Sequence, residues 1–168
     1  MKTLSMILLL VIVPVAVIGQ NLKVLDDKYG FRNVKFEMPL DSLKNLVETE
    51  TGALVIYKST NEDLSMGAYT LDGISYCFYK GQLAVIVIHT KEYTNSMGFL
   101  KILQNAYGNG YQSNSYIEDY YWRGRKVTMS YSQNSITDDA IIIIQSVKLR
   151  KLREADETRA NSDAAKKL

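Results

Sequence analysis

The chain has little of what catalytic and metal centres are made from. Of its 168 residues one is cysteine, Cys77, and one is histidine, His89. A single thiol excludes an intrachain disulfide. Two such residues do not make a zinc site unaided. A Ser-His-Asp arrangement would have only His89 as its base, and no Gly-x-Ser-x-Gly elbow accompanies it. Gly108-Asn109-Gly110 follows a helical segment, whereas a phosphate-cradling loop precedes one. A large excess of one charge is also missing. The formal net charge is +2, with 12 basic and 14 acidic residues over 20–146 and 7 and 4 over 147–168. That distribution is not the footprint of a nucleic-acid binder. The carboxylate pairs Asp26-Asp27, Glu118-Asp119 and Asp138-Asp139 read as solvated charges. Adjacent strand residues such as Glu118 and Asp119 point to opposite faces, and no alternating run of calcium ligands is present. No metal, cofactor or nucleic acid is therefore expected.

Only one long apolar run is present, and it stands at the start. Leu4 to Ile18 is apolar apart from Ser5, Lys2 precedes it, and the small residues Val17 and Gly19 flank a cut before Gln20. This reads as a signal peptide over 1–19. The run is shorter than the roughly 20 residues a spanning helix needs, and Pro14 interrupts it. No cysteine follows it to carry a lipid. A periplasmic or secreted protein with no stable membrane anchor is the expectation. Retention of the segment as an anchor is the alternative.

From Gln20 onward the chain reads as one α+β domain over 20–146 with a charged helical tail over 147–168. Phe31 to Phe36 alternates apolar and polar as a half-buried strand does. Asp41 can cap a helix over 41–50, with Leu43, Leu46 and Val47 on one face and Thr51-Gly52 as its stop. Strands are expected over 53–58, 66–71, 74–79 and 83–89, with Asp72-Gly73 as a hairpin turn. A helix over 95–107 carries Met97, Leu100, Leu103 and Tyr107 on one stripe, closed by Gly108. Further strands follow over 116–122, 126–131 and 140–144. Leu83–Ile88 and Ala140–Ile144 are apolar on both faces, so both should be central and covered. Leu149, Leu152 and Ala155 give the tail a thin apolar stripe. The fold class is α+β: an antiparallel sheet with helices on one face.

Phe78-Tyr79-Lys80-Gly81-Gln82 parallels Tyr121-Trp122-Arg123-Gly124-Arg125, so the chain can be written as two helix-plus-three-strand repeats. With Tyr107-Gly108-Asn109-Gly110 followed by Tyr121-Trp122, this order resembles the β-lactamase-inhibitor proteins and the related small outer-membrane assembly lipoproteins. The resemblance covers about residues 40–146 and implies an architecture, not a site. The chain lacks the lipid-carrying cysteine of the one group and the disulfide pairs of the other.

The densest chemistry is aromatic. Tyr107, Tyr111, Tyr116, Tyr120, Tyr121, Trp122 and Tyr131 lie close together in sequence. On a strand, Tyr116, Glu118, Tyr120 and Trp122 share one face, and Ile117, Asp119, Tyr121 and Arg123 share the other. One face covers the core and the other is free. Tyr, Trp and Arg are the residues most used at binding hot spots. Tyr116, Tyr120, Trp122, Arg123 and Arg125 are the candidate binding residues, on an exported, non-catalytic binding or accessory protein of a bacterial cell envelope with a protein partner. A carbohydrate-binding module using the same rings is one alternative. A small thiol or hydrolytic enzyme using Cys77 and His89 is the other.

Overall fold

Period-two alternation in the longest strands decides the architecture. In the computed structural model, which describes residues 20–167, the chain begins with α1 (Leu22–Lys28) and a small ladder of β1 (Gly30–Phe31) and β2 (Val34–Lys35). A 3-10 turn (Leu40–Ser42), β3 (Leu46–Glu50), β4 (Val55–Ser59) and a second small ladder of β5 (Ser65–Met66) and β6 (Tyr69–Thr70) follow. Then come β7 (Gly73–Tyr79), β8 (Gln82–Thr90), α2 (Tyr93–Tyr107), β9 (Asp119–Arg123), β10 (Val127–Gln133), β11 (Ala140–Ser146) and α3 (Val147–Ala165). The expected signal segment 1–19 lies outside the described residues.

Seven strands form one antiparallel sheet in the order β3-β4-β7-β8-β11-β10-β9. The α+β class and the antiparallel sheet are as the sequence implies. Two rows of side chains cross its inner face. One is Tyr76, Ile86, Ile144, Met129 and Trp122; the other is Ile74, Ile88, Ile142, Tyr131 and Tyr120. Leu25 of α1, Phe31, Phe36 and the α2 residues Phe99, Leu100 and Leu103 close over them. Each large side chain so buried stabilises the fold by roughly 1.5–3 kcal/mol relative to exposure. At the edge of this layer, Thr90 and Ser96 share a buried 2.8 Å hydroxyl hydrogen bond that ties the end of β8 to the start of α2. The β7–β8 turn places Lys80 and Gly81 at φ 49° and 75°, the positive pair that a tight hairpin requires.

Several expectations are corrected. Residues 46–50 are a strand, not part of a helix over 41–50. Leu43, Leu46 and Val47 fit either period, and pairing with β4 (Leu46 with Ser59, Val47 with Lys58) decides for the strand. Phe31 to Phe36 is folded back on itself at Arg32, whose φ is 52° and whose guanidinium reaches Glu62 and the Asp63 and Ser65 carbonyls. Asp72-Gly73 is not a hairpin turn, because β6 pairs with β5 and the Asp72 amide continues onto the His89 carbonyl. Residues 66–71 belong to that small ladder. β8 and β11 are central, yet β11 is covered on one face only. The stripe of α3 is reduced to Leu149, which packs with Tyr79, Ala84, Leu54 and Val85, while Leu152 and Ala155 are exposed.

With the edge strand β3 set aside, the sheet is symmetric in strand order about the β8–β11 join, the meander β4-β7-β8 facing the meander β11-β10-β9. In that symmetry the β7–β8 turn corresponds to the β10–β11 loop. The two similar sequences around Lys80-Gly81 and Arg123-Gly124 therefore occupy non-equivalent hairpins, and no helix over 41–50 precedes the first meander.

Asp26 of α1 clamps the β9–β10 turn. Its carboxylate accepts the amides of Arg125 (2.9 Å), Lys126 (2.8 Å) and Val127 (3.0 Å). Gly124 leaves the room: a Cβ there would stand 2.3 Å from Asp26 Oδ1 and 2.7 Å from the Val127 carbonyl. Burial alone would raise the Asp26 pKa. The three amides and the nearby Arg125 guanidinium outweigh it and hold the carboxyl below its ordinary 3.8. A depressed folded pKa contributes stability that is present above the unfolded value and lost as pH falls through the folded one. Asp26→Asn is expected to cost about 1–3 kcal/mol in denaturant melts at pH 7, with the deficit shrinking below about pH 4. A deficit independent of pH would show that the carboxylate charge is not what the turn uses.

Candidate functional site

The five candidate binding residues separate in space. Tyr116 is 94% exposed in the loop before β9, its amide bonded to the Asn114 side chain. Tyr120 and Trp122 point inward. Trp122 is fully buried, its Nε1 donating to the Gly108 carbonyl at 2.8 Å. Tyr120 stands against it and Tyr131, with ring centroids 6.3 and 6.2 Å away, and its hydroxyl donates to Glu118. Burial and then Glu118 push the Tyr120 phenol up to about 12. Trp122 therefore has no surface to offer a partner, and the expectation that it lies in a binding face is corrected. The carbonyl that decides its direction belongs to the end of α2, remote from the strand. Arg123 is exposed on the opposite face of β9, and Arg125 is exposed in the turn beyond it.

That opposite, outer face of the sheet is the surface with most to offer. Pairing places three rows on it. Ser75, Val87, Ile143, Ser130 and Tyr121 form the middle row, with Lys58 at its far end. Ile56, Cys77, Val85, Gln145, Thr128 and Arg123 lie to one side, and His89, Ile141, Ser132 and Asp119 to the other. α3 overlies only one corner, through Leu149. Ile141 and Ile143 remain 44% and 37% exposed on the fifth of seven strands. Ordinary surfaces scatter single apolar residues; these two stand together on a central strand.

Beside this apolar centre is a cavity of about 380 Å³ lined by Tyr121, Arg123, Thr128, Ser130, Gln145 and Arg150. Two guanidinium groups, two hydroxyls, an amide and a phenol surround it. Thr128 Oγ1 and Arg150 Nε are buried with no partner in the described protein. Arg150 donates one terminal nitrogen to Glu154. Arg153 follows on the same side of α3, near Gln145 and Val85. The corner is rich in donors; Arg150 and Arg153 pair with Glu154 and Glu157 along α3, and Arg123 has no carboxylate in ion-pair contact among the described residues. The sequence left Tyr121, Arg150 and the isoleucines out of the candidate set. Ile141–Ile144 read as doubly buried, when alternation alone would have turned half of them outward.

Cys77 and His89 do not meet. Cys77 pairs with Val85, and His89 lies four residues farther along β8, about 13 Å away. Proton transfer needs hydrogen-bond reach. Cys77 is 4% exposed, and burial followed by the nearby Glu50 charge raises its thiol to about 11. Among the described residues no group of three Cys, His, Asp or Glu side chains is placed to hold a metal ion. No described helix is long and apolar enough to cross a membrane. The chain matches no protein-family model, no curated protein and no solved structure.

The native thiol is expected to resist aromatic disulfide reagents at pH 8, where only about one thiol in a thousand is ionised at such a pKa. The same chain in denaturant should react at the ordinary rate of an exposed cysteine. Fast reaction of the folded chain would restore Cys77 as a chemical group.

Proposed function

We propose that this chain is an exported, non-catalytic binding protein of a bacterial cell envelope that docks a polypeptide partner on its outer sheet face. The observation that carries the reading is the exposure of Ile141 and Ile143 on a central strand whose other face is sealed. Aliphatic side chains of the partner would pack on Val87, Ile141 and Ile143. Its carboxylates would meet Arg123 and the Arg150 Nε, which is buried without a partner at the adjoining corner. Charge complementarity therefore selects an acidic, aliphatic segment. The apolar run and small-residue cut over 1–19 support export. A sugar-stacking module is less well supported, because Trp122 is withdrawn into the core.

A photocrosslinking residue at Ser132, beside the exposed Ile141, is expected to capture one discrete polypeptide in intact cells. Adduct formation should fall at least tenfold with Ile143→Asp or Arg123→Glu, and rise as ionic strength is lowered. Both substituted side chains point away from the core, and a cooperative melt well above the working temperature checks that each variant is folded. An adduct of twice the chain mass would identify a second copy as the occupant and overturn the acidic-partner reading. An adduct indifferent to both substitutions would move the site off this face.

A further inference from the structure

A second surface lies at the end of the sheet, where α1, the β9–β10 turn and the first turn of α3 meet. They enclose an open cleft of about 850 Å³, lined by Asp26, Asp27, Tyr29, Arg125, Lys126, Val147, Lys148 and Lys151. A cleft of this volume has room for a small molecule. The cleft's cations outnumber its carboxylates, four against two. Asp26 is engaged by three backbone amides. Asp27 is paired with Lys23, and Lys148 with Glu37, which also accepts the Tyr29 hydroxyl. Arg125, Lys126 and Lys151 are left with no carboxylate in ion-pair contact among the described residues.

The arrangement runs against helix electrostatics. The N-terminus of a helix carries a partial positive charge and favours acids in its first turn. α3, 19 residues long, has none there and has Lys148 instead, with Lys151 just beyond. Lys126 is held against the same terminus, because its carbonyl accepts the Val147 amide. Four cations from the β9–β10 turn and α3 outnumber the two carboxylates that α1 brings to the cleft, and a bound anion would relieve that excess. Tyr29 and Val147 give the cleft an apolar wall, and the Tyr29 ring is fixed edge-on to Phe36 with centroids 5.6 Å apart. An anion with several negative oxygens and an organic body satisfies both halves of this lining. Arg offers a planar fork of donors and Lys a point charge, the combination commonly used on phosphate.

We propose that this cleft is a binding site for a phosphate-bearing anion, with Arg125, Lys126 and Lys151 as its ligands and Tyr29 and Val147 against the organic part. The site is distinct from the outer sheet face and does not depend on the partner proposed there. Phosphate of this kind can arrive as a small soluble ester or as the headgroup of an anionic lipid.

The test is amide-resolved NMR titration of the chain over 20–168 with inorganic pyrophosphate, followed by vesicles of phosphatidylglycerol or phosphatidylcholine. Saturable shifts are expected at residues 125–127 and 147–151. Arg125→Ala/Lys151→Ala should weaken pyrophosphate at least tenfold, whereas Lys166→Ala/Lys167→Ala, which removes equal charge from the far end of α3, should not. Ile143→Asp should leave the titration unchanged, which keeps this site separable from the docking face. Recruitment to phosphatidylglycerol but not phosphatidylcholine vesicles, lost in the cleft variant, would assign the lipid source. Pyrophosphate binding without recruitment would assign a soluble ester. Shifts that never saturate, or equal weakening by both double variants, would overturn the proposal, since generic charge attraction would then account for the response.

Discussion

The pairing of β8 with β11 is the constraint on which the rest depends. It is the sole join in the sheet between the two meanders, and its strands are separated by α2 and two further strands. Closing so long a segment costs chain entropy that grows only slowly with its length. The interlocked pairs Ile86–Ile144 and Ile88–Ile142, all buried, offset that cost. The same register has a second effect. With Ile142 and Ile144 turned inward, the alternation of a strand leaves Ile141 and Ile143 facing out. The core and the exposed patch are thus two sides of one four-isoleucine run. Nothing that keeps this register and composition can build the first without the second.

Legibility in the sequence depends on whether the signal is local. β7, β8, β11 and α2 are legible because their apolar runs or stripes are long, and Lys80-Gly81 and Gly108 mark where β7 gives way to β8 and where α2 stops. The segment 41–50 is not, because Leu43, Leu46 and Val47 satisfy a helix and a strand alike, and the deciding partner is β4. The faces of β9 are also ambiguous. Both carry tyrosine, and the choice rests on a carbonyl at Gly108 that receives the indole nitrogen. The end cleft has no local signature at all. Its lining comes from residues 26–29, 125–126 and 147–151, which are ordinary charged stretches when read one at a time.

Placement of the acids explains why a nearly neutral chain carries strongly biased surfaces. Several carboxylates are taken up by the fold itself. Asp26 clamps a turn, Glu37 joins a tyrosine to a lysine, and Glu62 joins an arginine to a tyrosine. Asp156 tethers α3 to Tyr79 and Lys80. Each of these contacts withdraws negative charge from solvent at one point. The cations that remain are then placed by the fold, Arg123 at the sheet corner and Arg125 with Lys126 and Lys151 in the cleft. Net charge says little about such a molecule; the geometry of its engaged carboxylates says more.

The tether at Asp156 also divides α3. Up to that residue the helix is capped by Ser146, anchored by Leu149 and clamped to the β7–β8 turn. From Glu157 onward the described residues are all exposed, and a helical stretch this short cannot nucleate on its own in water. It persists only as an extension of the anchored half, adding about 14 Å of length at 1.5 Å per residue. Its backbone bonds therefore open and close on their own schedule, at a small fraction of the free energy that holds the sheet. Residues 157–165 thus owe their helical form to contacts made by the half of α3 before them.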